Sequence, residues 1–130
     1  MNWLKRFAER ERKEKQEKLD SVLAGREPLD DHQLWERYFR QCDVAPATVA
    51  TIRQIFSEIL GVDFSRIRDT DAFSKELAFF WDFDSLADVE LVEALEKRFG
   101  IVITDAEAEA MKTLRNIVLT VHEKISNNRR

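Results

Sequence analysis

Two stretches of this 130-residue chain repeat apolar side chains every third or fourth position, and each stops directly at a glycine, Gly61 or Gly100. Glycine tolerates the left-handed backbone at a helix end, so both glycines read as helix stops. The first stretch predicts a helix from about Pro46 to Leu60, with Val49, Ile52, Phe56, Ile59 and Leu60 inward. The second predicts a helix from Ser85 to Phe99, with Val89, Val92, Leu95 and Phe99 on one stripe and Leu91 at its edge. Residues 62–84 lack sustained periodicity, although Phe73 and Leu77 stand four apart. A connection this long inside a small domain is either functional or packed by its own side chains. Downstream, Thr104 and Glu107 form a capping box for a short helix at 105–111. Thr113 caps a last helix with Leu114, Ile117, Val118, Val121 and Ile125 inward. Three glycines and two prolines against 44% hydrophobic residues favour helices over a turn-rich β-fold. An all-α domain of four helices with a long first connection is the expectation.

Ahead of it, "DDHQLWERYFRQC" places Leu34, Trp35, Tyr38 and Phe39 at helical spacing, as in a helix docked by aromatic burial. "ERERKEKQEK" has no apolar face. If helical, it is held by charge pairs worth about 0.2–0.5 kcal/mol each and is expected to project into solvent or fray. Trp3, Leu4 and Phe7 make a short apolar stripe, too short to hold a membrane strongly, so membrane contact is not expected. Residues 1–19 carry seven basic and four acidic side chains, net +3, whereas residues 82–111 carry two basic and nine acidic, net −7. Such an acidic surface disfavours nucleic acid and suits partners with basic patches. The lone Cys42 forbids an intrachain disulfide and reads as a buried small hydrophobe. His32 and His122 lack metal-ligand spacing, so no metal site is expected. No apolar run reaches membrane-spanning length, and no signal-peptide pattern is visible, so a cytoplasmic location is the default.

Ser85 begins the second predicted helix between Asp84 and Leu86. Two readings compete for it. A serine there caps the helix, with Asp88 completing a Ser-x-x-Asp box. Alternatively, a hydroxyl at a helix start is a point of modification, because a phosphodiester formed there faces free N–H groups and the positive end of the helix dipole. The wider pattern bears on the choice. "ILGVD" closes the first helix, "DAFSKEL" lies in the connection, "DSLADVELVEALEKRFGI" surrounds the serine and "ITDAEAEAMKTLRNI" runs through the third helix. In this order they make residues 48–125 resemble an acyl carrier protein.

The resemblance implies an acyl-carrier-like four-helix bundle with a long first loop, plus extra N-terminal helices. With the spacing and charge read above, the chain divides into a charged helical extension (1–27) and a docking helix (28–45), both outside the resemblance, then a carrier domain (46–126) and a tail (127–130). It implies 4′-phosphopantetheine, taken from coenzyme A by a separate phosphopantetheinyl transferase and esterified to Ser85. It further implies a recognition surface of Asp84, Leu86, Glu90, Glu93 and Glu96 for acyl-transfer and chain-building enzymes with basic docking patches. Glu90 and Glu96 match acidic positions of the family, whereas Ala87 and Lys97 depart from them. An acyl cavity lined by Ile59, Val89, Leu95, Ile103 and Val118 is expected. The function implied is a non-catalytic carrier for fatty-acid, polyketide or related lipid biosynthesis. The alternative is an unmodified interaction module that kept the fold. An enzyme lacks support, since no second reactive group accompanies Ser85.

One departure stands out. Where the family runs a short glycine-containing link into "DSL", this chain runs "AFFWDF" without glycine, about four residues longer than the family's link. Phe79, Phe80, Trp81 and Phe83 then crowd the serine. Rings this dense either pack beneath the loop or reshape the cavity for aromatic, branched or unusually long acyl groups.

Overall fold

A computed structural model describes residues 2–128; positions 129 and 130 of the expected tail lie outside the described residues. Seven α-helices follow in order: α1 (Asn2–Val22), α2 (Asp31–Tyr38), α3 (Pro46–Leu60), α4 (Phe80–Phe83), α5 (Ala87–Phe99), α6 (Asp105–Ala110) and α7 (Leu114–Asn128). Arg40–Cys42 form a 3₁₀ turn, and the sole β-type pairing among the described residues is an isolated bridge between Ala72 and Thr113. The fold is the all-α bundle its sequence predicts. Residues 127 and 128, assigned to a tail, continue α7.

α3 is the central rod, packed against α2, α5 and α7. Val49, Ile52, Ile55, Phe56 and Leu60 are its buried positions. It ends at Gly61, which adopts φ 69° and donates its N–H to Ser57 O at 2.8 Å. A side chain at this φ would be strained, so the glycine fixes where the long connection begins. α6 opens on the expected Thr104–Glu107 capping box. Thr113 Oγ1 likewise accepts from Asn116 N at 3.1 Å at the start of α7.

α1 departs from expectation. Its first half is exposed, including Trp3, Leu4 and Phe7, but its second half docks. Leu19 and Leu23 are fully buried in one core with Leu29, Leu34 and Phe39. Gln16 Oε1 accepts from Asp63 N at 2.8 Å, and Asp20 pairs with Arg66. The charged decapeptide has no apolar face, yet the leucines immediately after it supply one, four residues apart. Burial of that pair, not the surface charge pairs, holds the helix.

The connection after α3 is packed by its own side chains. Phe64, Ile67, Phe73, Leu77 and Phe80 are all buried. The feature that closes it is Asp71, buried to 3% exposure. Arg26 grips its carboxylate in two parallel bonds, Nη1 to Oδ2 at 2.6 Å and Nη2 to Oδ1 at 2.9 Å, and Arg68 N donates to Oδ2 at 2.7 Å. The Asp71 hydrogen bond is also the main cause that raises the Arg26 pKa. Its carbonyl accepts Leu114 N at 3.3 Å, and Asp69 O accepts Arg115 N at 2.8 Å, so the loop receives the first amides of α7. Replacing Asp71 by Ala leaves Arg26 without its partner and the Arg68 amide unsatisfied, at a cost of about 3 kcal/mol. Urea unfolding of Asp71→Ala should show that loss as a lower midpoint with an unchanged m-value.

Candidate functional site

The backbone between α4 and α5 is a tight turn built by one aspartate. Asp84 leaves α4 in extended conformation. Its side-chain Oδ1 accepts Leu86 N at 2.9 Å, and its carbonyl accepts Ala87 N at 3.2 Å. An aspartate that bonds the amide two residues on is a self-made turn. Ser85 lies at the apex of this turn and is exposed. α5 starts at Ala87, so Ser85 stands two residues ahead of the first helical position rather than occupying it. The helix cap is Leu86, and no side chain caps α5. The Ser85–Asp88 capping box is therefore absent: Asp88 Oδ1 accepts Val89 N at 2.9 Å instead. Asp84 does the local bonding, which leaves the serine hydroxyl facing outward.

The residues around it fall into two groups. Leu86, Val89, Glu90 and Glu93 share one face by helical spacing and are all exposed, Leu86 to 64% and Val89 to 48%. Asp84 is exposed beside them. Glu96 differs: it is half-buried, and its Oε2 accepts Ile103 N at 3.0 Å, which ties α5 to the strap leading into α6. Ala87, one of the positions where an acid was the family norm, is buried and faces inward.

The expected cavity lining needs correction. The fully buried stripe of α5 is Ala87, Leu91 and Leu95, with Val92 and Phe99 half-buried against the same core, so that of the expected stripe only Val89 leaves it. Val89 points to solvent because Leu91, taken as an edge residue, is the one that is buried. Of the five predicted lining residues, only Leu95 borders the cavity along the inner side of α5, a half-open space of ≈70 Å³. Val118 is fully buried without reaching it, and Ile59 is half-buried on α3. Ile103 joins Val89 and Val92 in an outer groove between α5 and α6, edged by Asp88, Glu93, Glu96, Asp105 and Glu109. The cavity itself is walled by Phe56, Phe73, Trp81, Leu91, Val92, Met111 and Ile117, with Asp88 near the serine end of α5. Sequence reasoning missed Phe73 and Met111 as lining; Trp81 was visible only as a member of the aromatic insertion.

α6, whose Ala108 completes the wall, is held to α7 by Glu107 and Lys124 at 2.7 Å. The Lys124 hydrogen bond, with help from the Thr104 amide, lowers the Glu107 pKa from 4.5 to about 2. Elsewhere, Cys42 is half-buried and its Sγ accepts from Arg115 Nη2 at 3.3 Å. Among the described residues no three His, Cys, Asp or Glu side chains converge as metal ligands would, and no helix is long and apolar enough to cross a membrane.

The family model described as "Phosphopantetheine attachment site" matches residues 50–121, which contain the Asp84 turn and both halves of the cavity wall. The chain is 33% identical to an acyl carrier protein of Thermosynechococcus vestitus over 75 residues, 58% of this chain and 88% of the relative. It is 37% identical to an acyl carrier protein of Cyanidium caldarium over 76 residues, 58% of this chain and 84% of the relative. The acyl carrier protein of Helicobacter hepaticus is 38% identical over 71 residues, covering 55% and 88%. The chain belongs to the acyl carrier protein family. A covalent 4′-phosphopantetheine comes with that membership. The geometry fits such a group, since an exposed serine stands directly ahead of a 13-residue helix whose cap residue, Leu86, offers no side-chain bond.

A pH dependence follows from Glu107. A carboxylate whose folded value is depressed stabilises the fold fully above its unfolded value, near 4.5, and loses that contribution as pH falls toward about 2. The protection of the α6 amides, taken relative to their intrinsic exchange rate at each pH, should therefore fall over that window, and Glu107→Gln should flatten the dependence.

Proposed function

We propose that Ser85 carries the 4′-phosphopantetheine arm and that the chain is a non-catalytic carrier serving separate cytoplasmic enzymes of fatty-acid-type synthesis. The observation that supports this most is the exposed Ser85 at the head of the uncapped α5, inside the segment matched as a phosphopantetheine attachment site. When bound, the arm supplies a thiol on which an acyl group is held as a thioester.

The chain's own residues do the rest. Asp84 holds the turn on which Ser85 stands exposed. The first amides of α5 offer positive partial charge to a phosphodiester at that oxygen. Leu86 gives the approaching enzyme an exposed apolar contact, and Glu90 and Glu93 lie on the same face to meet its lysines and arginines. Glu96 contributes less to that surface than the other acids, because its carboxylate is engaged by the Ile103 amide.

Two measurements test the reading. Incubation with coenzyme A and a broad-specificity phosphopantetheinyl transferase should raise the intact mass by one phosphopantetheinyl group, and Ser85→Ala should abolish the gain. No gain in the unaltered chain defeats the proposal in favour of an unmodified interaction module. Reversing charge with Glu90→Lys and Glu93→Lys should lower kcat/KM for loading by about tenfold at low salt, with the gap narrowing as salt screens the contact.

A further inference from the structure

We propose that the projecting end of α1 in one copy of this chain seats in the α5–α6 groove of a second copy, and so competes there with partner enzymes; the competition rests on the reading of α5 as their docking face. Apart from Val22, the exposed large apolar side chains among the described residues gather at two places. Trp3, Leu4 and Phe7 on α1 are 68%, 52% and 60% exposed, and Leu86, Val89 and Val102 lie at the start of α5 and on the strap into α6. The two places carry opposite charge. Trp3 and Phe7 share one face of α1 with Arg6 and Arg10, at helical spacing. The groove has an apolar floor of Val89, Val92, Ile103 and Ala108 and a rim of five acids, among them Glu93 and Glu109.

An amphipathic helix that lays aromatic anchors into an apolar groove is a recurring mode of recognition, and tryptophan and arginine dominate such contacts. The apolar run of α1 stops at Phe7, because Arg10, Glu11 and Glu14 follow on that face. An anchor of about one and a half turns suits a groove between two helices better than the plane of a membrane. The tip does not meet the groove of its own chain, since the two share no lining residue. α1 is one continuous helix with Leu19 buried, and Arg12 and Gln16 flank Gly61 at the end of α3. Ahead of Arg12 the helix projects, which carries Trp3 about 14 Å further along its axis. Residues 1–19 are net +3 and residues 82–111 net −7, so a second copy brings the complementary surface at the same concentration as the tip. The contact is heterologous: each copy offers a tip and receives one. The groove opens at Asp88 and Val89, three and four residues past Ser85, and a seated tip covers Val89 and Glu93. Chain at high concentration is thereby withheld from its enzymes.

Sedimentation velocity of the full unmodified chain, across the micromolar to millimolar range, should show reversible association that weakens as salt rises. Trp3→Ala combined with Phe7→Ala should weaken it by about tenfold, and so should Glu93→Lys combined with Glu109→Lys. All four positions are exposed, so neither pair of changes threatens the fold. Each double variant fails to associate alone, yet a mixture of the two should associate, because one lends an intact groove and the other an intact tip. A chain that stays monomeric throughout, a groove variant that associates as before by pairing α1 with α1, or a mixture that stays monomeric overturns the proposal. Capture by phosphatidylserine vesicles without self-association assigns the tip to a lipid surface and overturns it as well. The competition is read with the transferase: at high chain concentration the Trp3→Ala, Phe7→Ala variant should load about threefold faster than the unaltered chain, and at low concentration at the same rate. Equal rates at high concentration overturn the competition. Sedimentation requires no arm on Ser85, so a failure to associate is separable from a failure to load.

Discussion

A single buried carboxylate joins the parts of this molecule that its sequence separates. Asp71 receives Arg26 from the segment after α1, Arg68 from its own loop, and, through its carbonyl, the leading amide of α7. A carboxylate taken from water is tolerable only when every oxygen is bonded and the charge is matched, and both conditions are met. With the clamp closed, the chain from Ala72 onward must run beside the start of α7, as the Ala72–Thr113 bridge and the Phe73–Lys112 bond record. Phe73 is thereby delivered to the cavity wall, and Trp81 is hung from the Phe73 carbonyl. Loop closure and cavity size thus share one anchor.

The presentation of Ser85 is a separate and more local matter. It needs only Asp84, a turn and the absence of a cap on α5. In an ordinary helix start the serine would spend its hydroxyl on an amide within the next turn. Here the preceding aspartate bonds the Leu86 amide and Asp88 bonds that of Val89, so neither bond calls on the serine hydroxyl. The acidic opening turn of α5 and its basic closing residues, Lys97 and Arg98, suit the helix dipole at both ends. A rigid and favourable helix thus carries a displayed side chain that contributes little to holding it.

Much of the architecture was legible because its signals are local. Pro46 and Gly61 bracket α3, and the Thr104–Glu107 box opens α6, through backbone chemistry that a short window contains. The resemblance carried Ser85 and its acidic neighbours. What was not legible depends on tertiary packing. The stripe of α5 was misplaced in its first turn, because Ala87, a small residue with weak hydrophobic signal, begins it, while Val89, a stronger one, faces water. α1 was underestimated because the window that defined its charge stopped short of Leu19 and Leu23. The cavity wall was missed because Phe73 and Met111 come from a loop and a strap without periodicity, and only the Asp71 clamp brings the former into place.

The aromatic insertion also reaches the other way. Phe83, the last residue of α4, lies under the Lys18 ammonium at 5.5 Å from the ring centre, and a groove lined by Glu14, Glu17, Ser21 and Asp82 surrounds that contact. Lys18 belongs to the anchored half of α1, one residue from Leu19. The extension and the serine-bearing turn are therefore mechanically coupled across a single cation–π pair. The projecting half of α1 and the exposed Ser85 thus belong to one continuous surface, joined two residues ahead of the serine by the Lys18–Phe83 contact.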